Sequence, residues 1–218
     1  MSPLRVVLYA EGAGEMLGPV SLLPAPGEPL SEQMLGPAHI LARRALTEAR
    51  GLSAGDVRFD SPLRTRTGRL PRGSDLLHPR TLLQLLTWAR PSRQPDLAIV
   101  LVDADGDRQR RRKIQSTAAK AAVPTVVAVA AQEFEAWRIA DHKALSRVLR
   151  TDIDPVVKPE RLQPAEAKTT LAAWLSRSGA ETPSEARRQI AAVCDLGVVK
   201  RRCRSFEQFL GDLRTVVS

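Results

Sequence analysis

The sequence predicts an α/β protein, a central parallel sheet flanked by helices with a helical C-terminal extension. Three observations predict it. The runs RVVLYA (5–10), LAIVLV (97–102) and TVVAVA (125–130) are rich in β-branched residues and almost wholly apolar, the pattern of strands covered on both faces. Segments of helical spacing separate them, and strands alternating with helices form parallel sheets through right-handed crossovers. From about Lys143 onward only helical patterns remain. With 218 residues, 43% apolar and 26% charged, the chain is long enough for a proper core. The expected division is an α/β domain over 1–142 and a helical extension over 143–218 packed on the same unit.

The elements follow in order. After the first strand, the Gly/Pro-rich stretch from Glu11 to Leu30 reads as a long loop. Pro37 opens a helix that stops at Gly51, the usual asymmetry of proline at the start and glycine past the end. Val57–Phe59 is a short strand. Ser61–Ser74, with four arginines, two prolines and two glycines, reads as a mobile basic loop. A second helix runs from Pro79 to about Arg90 with Leu82, Leu83, Leu85 and Leu86 inward. The strand at 97–102 breaks into Asp-Ala-Asp-Gly-Asp and a basic helix from about Arg108 to Ala122. QEFEAWRIAD, after the last strand, reads as a helix, and Pro164 and Pro183 each open another.

Lys and Arg total 33 against 24 Asp and Glu, a net charge of +9. Such a balance favours contact with phosphates, with anionic membrane surfaces second. No run approaches the ~18 apolar residues of a membrane span, and MSPLRVVLYAEG has neither the cationic lead nor the cleavage site of a signal peptide. Two cysteines, Cys194 and Cys203, stand far in sequence from the three histidines, which excludes a Cys/His zinc cluster and a disulfide framework. A cytoplasmic location follows by default. No membrane partner is expected.

Sites in open parallel sheets form beyond the carboxyl ends of strands, and each strong strand here ends in acid. The first leads to Glu11 and Glu15, the second to Asp103 and Asp105, the third to Glu133 and Glu135. Carboxylates gathered in one crevice repel and raise one another's pKa, and a divalent cation relieves that cost. Oxygen-only ligands point to Mg²⁺ or Mn²⁺. Asp107 is either a further ligand or the N-cap of the basic helix; each single acid also has a plain reading as a turn former. Glu133 and Glu135 would stand about 200° apart on a helix, so Glu135 is preferred as the ligand. Trp137 is core or crevice wall rather than a stacking platform.

Arg108, Arg110, Arg111, Arg112 and Lys113 put five cations beside the acids. They are either a solvated helix face or a phosphate grip for nucleic acid. The loop arginines Arg64, Arg66, Arg69 and Arg72 and the tail run Lys200, Arg201, Arg202 and Arg204 are second-tier candidates for the same role or for a partner protein. Aromatic residues, 4% of the chain, do not interleave with these runs, which disfavours single-strand stacking. The glycines at 12, 14 and 18 carry no dinucleotide fingerprint, because no helical pattern starts where the phosphate would need one, and GxxxxGK[ST] is absent. No organic cofactor site is expected.

Glu11 in YAEGAGE, followed later by Asp103-Ala104-Asp105, resembles the TOPRIM catalytic module of topoisomerases, primases and OLD-family nucleases. More narrowly, EGAGE, LVDADGD, VAVAAQEFEAWRIAD and CDLGVVKRRCRSFEQFLGDL together are similar to an uncharacterised bacterial TOPRIM-like family (DUF4276-like) met in defence-type gene neighbourhoods. The resemblance spans nearly the whole chain and implies a TOPRIM-like, Rossmann-like sheet. It implies that Glu11 is general acid/base or a metal ligand, that Asp103 and Asp105 hold Mg²⁺, and that Glu15 and Glu135 complete a second metal position. It marks no catalytic lysine, Lys113 being the candidate for that role. The function implied is a Mg²⁺- or Mn²⁺-dependent nuclease or related phosphodiester enzyme, the effector of an anti-phage defence pair with an ATPase partner. Nucleic acid is the expected partner, DNA ahead of RNA, with a homodimer as one open assembly. The alternatives are a non-catalytic subunit that binds nucleic acid or a protein, and a small-molecule phosphoryl-transfer enzyme.

Overall fold

Four strands form the centre of the computed structural model, which describes residues 2–177 and 182–216. β1 (Leu4–Ala10), β2 (Val57–Asp60), β3 (Leu97–Asp103) and β4 (Thr125–Ala130) pair in the order β2-β1-β3-β4, all parallel. β1, β3 and β4 lie where the apolar runs predict, because a strand buried on both faces leaves little choice but uninterrupted Val, Ile, Leu and Ala, and β2 (VRFD) is the short strand expected at Val57–Phe59.

The helices in chain order are α1 (Ala13–Met16), α2 (Pro37–Arg50), α3 (Gly73–Leu77), α4 (Pro79–Leu85), α5 (Arg110–Ala118) and α6 (Glu135–Ile139). The C-terminal region adds α7 (His142–Leu149), α8 (Glu166–Arg177), α9 (Pro183–Val193), α10 (Leu196–Arg202) and α11 (Arg204–Thr215). Successive strand side chains point to opposite faces. Val6, Leu8, Ile99 and Leu101 bury against Leu41, Ala45 and Leu46 of α2 and Phe206, Phe209 and Leu210 of α11. Val7, Tyr9, Val100 and Val102 bury against Leu76 of α3, Leu82 and Leu85 of α4 and Ile114 of α5. A satellite core joins α6 to α9 through Ile139, Leu145, Leu171 and Ile190. The fold is thus an α/β layering with a helical C-terminal region. Edge strand β4 is flanked by α5 and α11, from opposite layers, and an Arg111–Asp212 ion pair joins these two helices.

Several expected elements are shorter than predicted. The Pro79 helix ends at Leu85 rather than near Arg90: the Leu86 N–H reaches the Leu82 and Leu83 carbonyls in a tightened last turn, and Arg90 is extended (φ −112°) ahead of Pro91. The basic helix begins at Arg110, not Arg108, because Gly106 (φ 76°) and a turn capped by Asp107 precede it. The helix expected in QEFEAWRIAD is confined to α6, because Gln132 sits in the left-handed region (φ 61°) and breaks the chain there. The loop after β1 does open on a single helical turn, α1, where the sequence showed no helical pattern. Among the described residues no helix is long and apolar enough to cross a membrane.

Candidate functional site

In an open parallel sheet, a crevice forms where adjacent strands send their chains to opposite layers. β1 feeds α2 on one layer and β3 feeds α5 on the other, so the switch falls between the carboxyl ends of these two neighbours. Glu11 and Asp103 stand at those ends. The Glu11 N–H donates to the Leu101 carbonyl at 3.1 Å, and the Asp103 N–H donates to Glu11 Oε2 at 2.9 Å. Asp103 Oδ1 in turn accepts the Phe134 N–H at 2.7 Å. One carboxylate-to-backbone chain therefore ties together the ends of β1, β3 and the turn after β4.

A cavity of about 490 Å³ opens at this point, and Glu11, Glu15, Asp103, Asp105, Glu133 and Glu135 all line it. The five acids expected to hold metal, Glu11, Glu15, Asp103, Asp105 and Glu135, all reach this cavity, whereas Asp107 does not. Glu133 joins them: it precedes α6, so the helical argument that would turn it away from Glu135 does not apply. Its Oε2 accepts the Lys168 N–H at 3.0 Å.

Burial pushes the Asp103 carboxyl up to about 8, and the charges of Glu11, Glu135 and Asp105 add to the rise. Glu15 is raised as well, by burial first, with Arg138 opposing and Glu135 adding. Arg138 is 0% exposed. Its Nη2 donates to Glu15 Oε1 at 2.8 Å and lies 3.2 Å from Glu135 Oε1, while its guanidinium packs over the Phe134 ring at 4.9 Å. Glu15 Oε2 and Arg138 Nε and Nη1 are buried with no hydrogen-bond partner among the described residues, a costly state for charged groups.

Asp105 adopts a left-handed backbone (φ 43°), tolerable for Asp, and its carboxylate pairs with Arg110 at 2.7 Å. Arg110 also donates to the Asp103 carbonyl. Asp107 is neither ligand nor N-cap: Gln109 holds the N-cap position of α5, and the Asp107 carboxylate closes the turn before it, accepting the Gln109 N–H at 2.9 Å and Lys113 Nζ at 2.9 Å, outside the cavity. Of the five helix cations predicted to grip nucleic acid, Arg110, Arg111 and Lys113 are thus engaged by Asp105, Asp212 and Asp107. Arg108 and Arg112 are exposed. Trp137 is core, 1% exposed, packed between Phe134, Phe206 and Phe209.

The sequence reading missed four participants. Lys168 and Arg187 line the cavity, and Arg138 holds two of its acids. Gly73, at the start of α3, presses on Glu11: a Cβ there would lie 2.2 Å from Glu11 Oε1. Gly73, Lys168 and Arg187 carried no local signal, since each reaches the crevice from a distant part of the chain; Arg138 did, at i+3 from Glu135 in EAWR, although its pairing with Glu15 crosses 123 residues. Among the described residues, no group of three His, Cys, Asp or Glu side chains stands in a metal-holding arrangement. Glu11, Asp103, Asp105, Glu133 and Glu135 each turn one oxygen to a neighbouring donor, as Glu15 does with Oε1.

A family model described as "Domain of unknown function (DUF4276)" matches residues 40–214. The matched span includes Asp103, Asp105, Glu133, Glu135, Arg138, Lys168 and Arg187, whereas Glu11 and Glu15 lie before it. No curated protein and no solved structure matches the chain.

Proposed function

The chain belongs to the DUF4276 family, a domain of unknown function, and from its own crevice we propose that it is a Mg²⁺- or Mn²⁺-dependent nuclease or related phosphodiester enzyme. The observation that carries this reading is the gathering of six carboxylates in one cavity at the sheet's switch point, with Asp103 raised to about 8 by burial and by its acidic neighbours. We extend the reading to kinship with TOPRIM and OLD-family nucleases, on the order of Glu11 and the Asp103-x-Asp105 pair, and to a cytoplasmic effector working with an ATPase.

The donor set fits a hard divalent cation. All six groups offer oxygen, Glu15 Oε2 has no hydrogen-bond partner among the described residues, and burial, with the acids of the cavity adding, raises Asp103. Glu11, Asp103 and Asp105 are the residues that would hold one ion, with Glu15 and Glu135 available to a second. Bound there, such ions supply Lewis-acid polarisation of the phosphodiester and an acidified water. The chain's own groups do the remaining work. Lys168 and Arg187 offer positive charge to a phosphate at the cavity wall. Arg138 fixes Glu15 and Glu135, and the Phe134 N–H fixes Asp103.

One observation favours a second reading, a binding subunit without catalysis: Asp105, Glu15 and Glu135 are already paired with arginines. Incubation with plasmid and short duplexes, with Mg²⁺, with Mn²⁺ and with EDTA, decides between them. The enzyme reading predicts metal-dependent cutting lost in Asp103→Ala and Glu11→Ala. Binding without cutting supports the subunit, and cutting untouched by both substitutions removes the site.

A further inference from the structure

The turn between β4 and α6 borders two cavities. Glu133, Phe134 and Glu135 line the acid crevice, while Ala131 lines a second space of about 600 Å³. Six cations surround that second space: Lys158, Arg161, Lys200, Arg201, Arg202 and Arg204. Arg202 is structural, donating to the Ala140 and Val156 carbonyls. The acids there are Glu160 and Glu207, and Glu160 is turned inward, accepting the N–H groups of Arg204 (2.8 Å) and Ser205 (3.0 Å) and the Ser205 hydroxyl.

Lys158, Arg161, Arg201 and Arg204 are exposed and Lys200 is half-buried. Among the described residues none of these five forms an ion pair. This sets them apart from the cations of α5, most of which are neutralised internally. Like charges held in one concavity repel, and an anion that bridges them relieves the repulsion. Five cations contributed by two separate segments exceed what a single phosphate engages, so the matching ligand is an extended polyanion. Val157, 80% exposed on the same wall, offers apolar surface of the kind a sugar or base covers.

We propose that this cavity binds the phosphodiester backbone of a nucleic acid strand, which then crosses the β4–α6 turn into the acid crevice. The inference rests on the phosphodiester reading of that crevice for its direction. The arginines supply planar forks suited to phosphate oxygens, and contact without base reading makes binding sequence-tolerant.

The test is fluorescence anisotropy of a labelled duplex and a labelled single strand, in EDTA, across a salt series. It compares the full chain with a Lys200→Glu/Arg201→Glu/Arg204→Glu variant and an Arg108→Glu/Arg112→Glu variant, each checked for fold by circular dichroism. The first variant is expected to bind at least tenfold more weakly and to lose about two to three from the log–log salt slope for duplex, at about 0.9 per phosphate contact. The second is expected to bind as the wild type does. Unchanged binding by the folded first variant, or loss confined to the second, overturns the proposal. If the triple reversal fails to fold, Arg201→Gln/Arg204→Gln replaces it, with a several-fold weakening expected and unchanged affinity overturning the proposal. Because EDTA removes cutting from the readout, the two readings fail separately. A wild type that binds through this cavity yet cuts nothing with Mg²⁺ or Mn²⁺ sinks catalysis alone. A wild type that cuts while the first variant keeps full affinity sinks this cavity alone.

Discussion

Glu11 is held between the Asp103 N–H on one side and the bare Cα of Gly73 on the other. Gly73→Ala therefore forces either Glu11 or the start of α3 to move, and overpacking of this kind costs about 1–3 kcal/mol. Urea unfolding is expected to show that loss, and calorimetric Mn²⁺ titration a weakened ion, whereas an unchanged titration would show that Glu11 is not a ligand. Arg138 is the converse case, a buried cation between two acids. Arg138→Met leaves Glu15 and Glu135 uncompensated, and breaking a buried pair from one side costs about 3–5 kcal/mol; denaturant unfolding measures it. Asp103 sets a pH dependence whose sign follows from its raised pKa. Below the ordinary value of 3.8 it is protonated folded and unfolded alike, and its contribution is fully present. As pH rises toward about 8 only the folded state keeps the proton, so stability from this group falls across that window. Thermal unfolding in EDTA should show a fall from pH 5 to 8 that Asp103→Asn flattens, and stabilisation by added Mg²⁺ should be larger at pH 8 than at pH 6, because the ion competes with that proton.

At the scale of elements, β1, β3 and β4 were legible because double burial writes itself as nearly unbroken apolar runs, and the acids at their ends were legible because a parallel sheet shares its carboxyl edge. β4 matches its predicted bounds, and α2 runs from Pro37 to its Gly51 stop as expected. Helix lengths were less legible, since left-handed turns at Gly106 and Gln132 consume residues that propensity alone assigns to helix. The fate of the α5 cations was not legible at all. Arg111 meets Asp212, 101 residues away, through the packing of α5 and α11 beside β4. The same long-range packing hid Lys168 and the pairing of Arg138 with Glu15. α11 supplies Phe206, Phe209, Leu210 and Leu213 to the core that also holds Val6, Leu8 and Ile99. Trp137 links α6 to that helix through its rings and an Nε1–H bond to Ser205 at 2.7 Å. Trp137→Ala is expected to cost about 3–5 kcal/mol in denaturant unfolding, as large aromatic deletions from cores do. Trp137→Phe should cost much less, and equal losses would place the stabilisation in the Ser205 hydrogen bond instead.

Over the whole molecule, charge of opposite sign is segregated around one turn. The net +9 coexists with six carboxylates concentrated at the sheet's switch point and a largely unpaired set of cations beyond Ala131. In the proposed function the acid cavity would draw a divalent ion inward, while the surrounding positive field would draw a polyanion to the same rim. Divalent binding at the crevice is the step on which the functional reading depends. Isothermal titration of the metal-free protein with Mn²⁺ at pH 8 measures it most directly. The account predicts saturable binding that Asp103→Ala and Glu11→Ala each weaken at least tenfold while the variants remain folded. Titration heats indistinguishable from buffer, or binding that both substitutions leave intact, would contradict it.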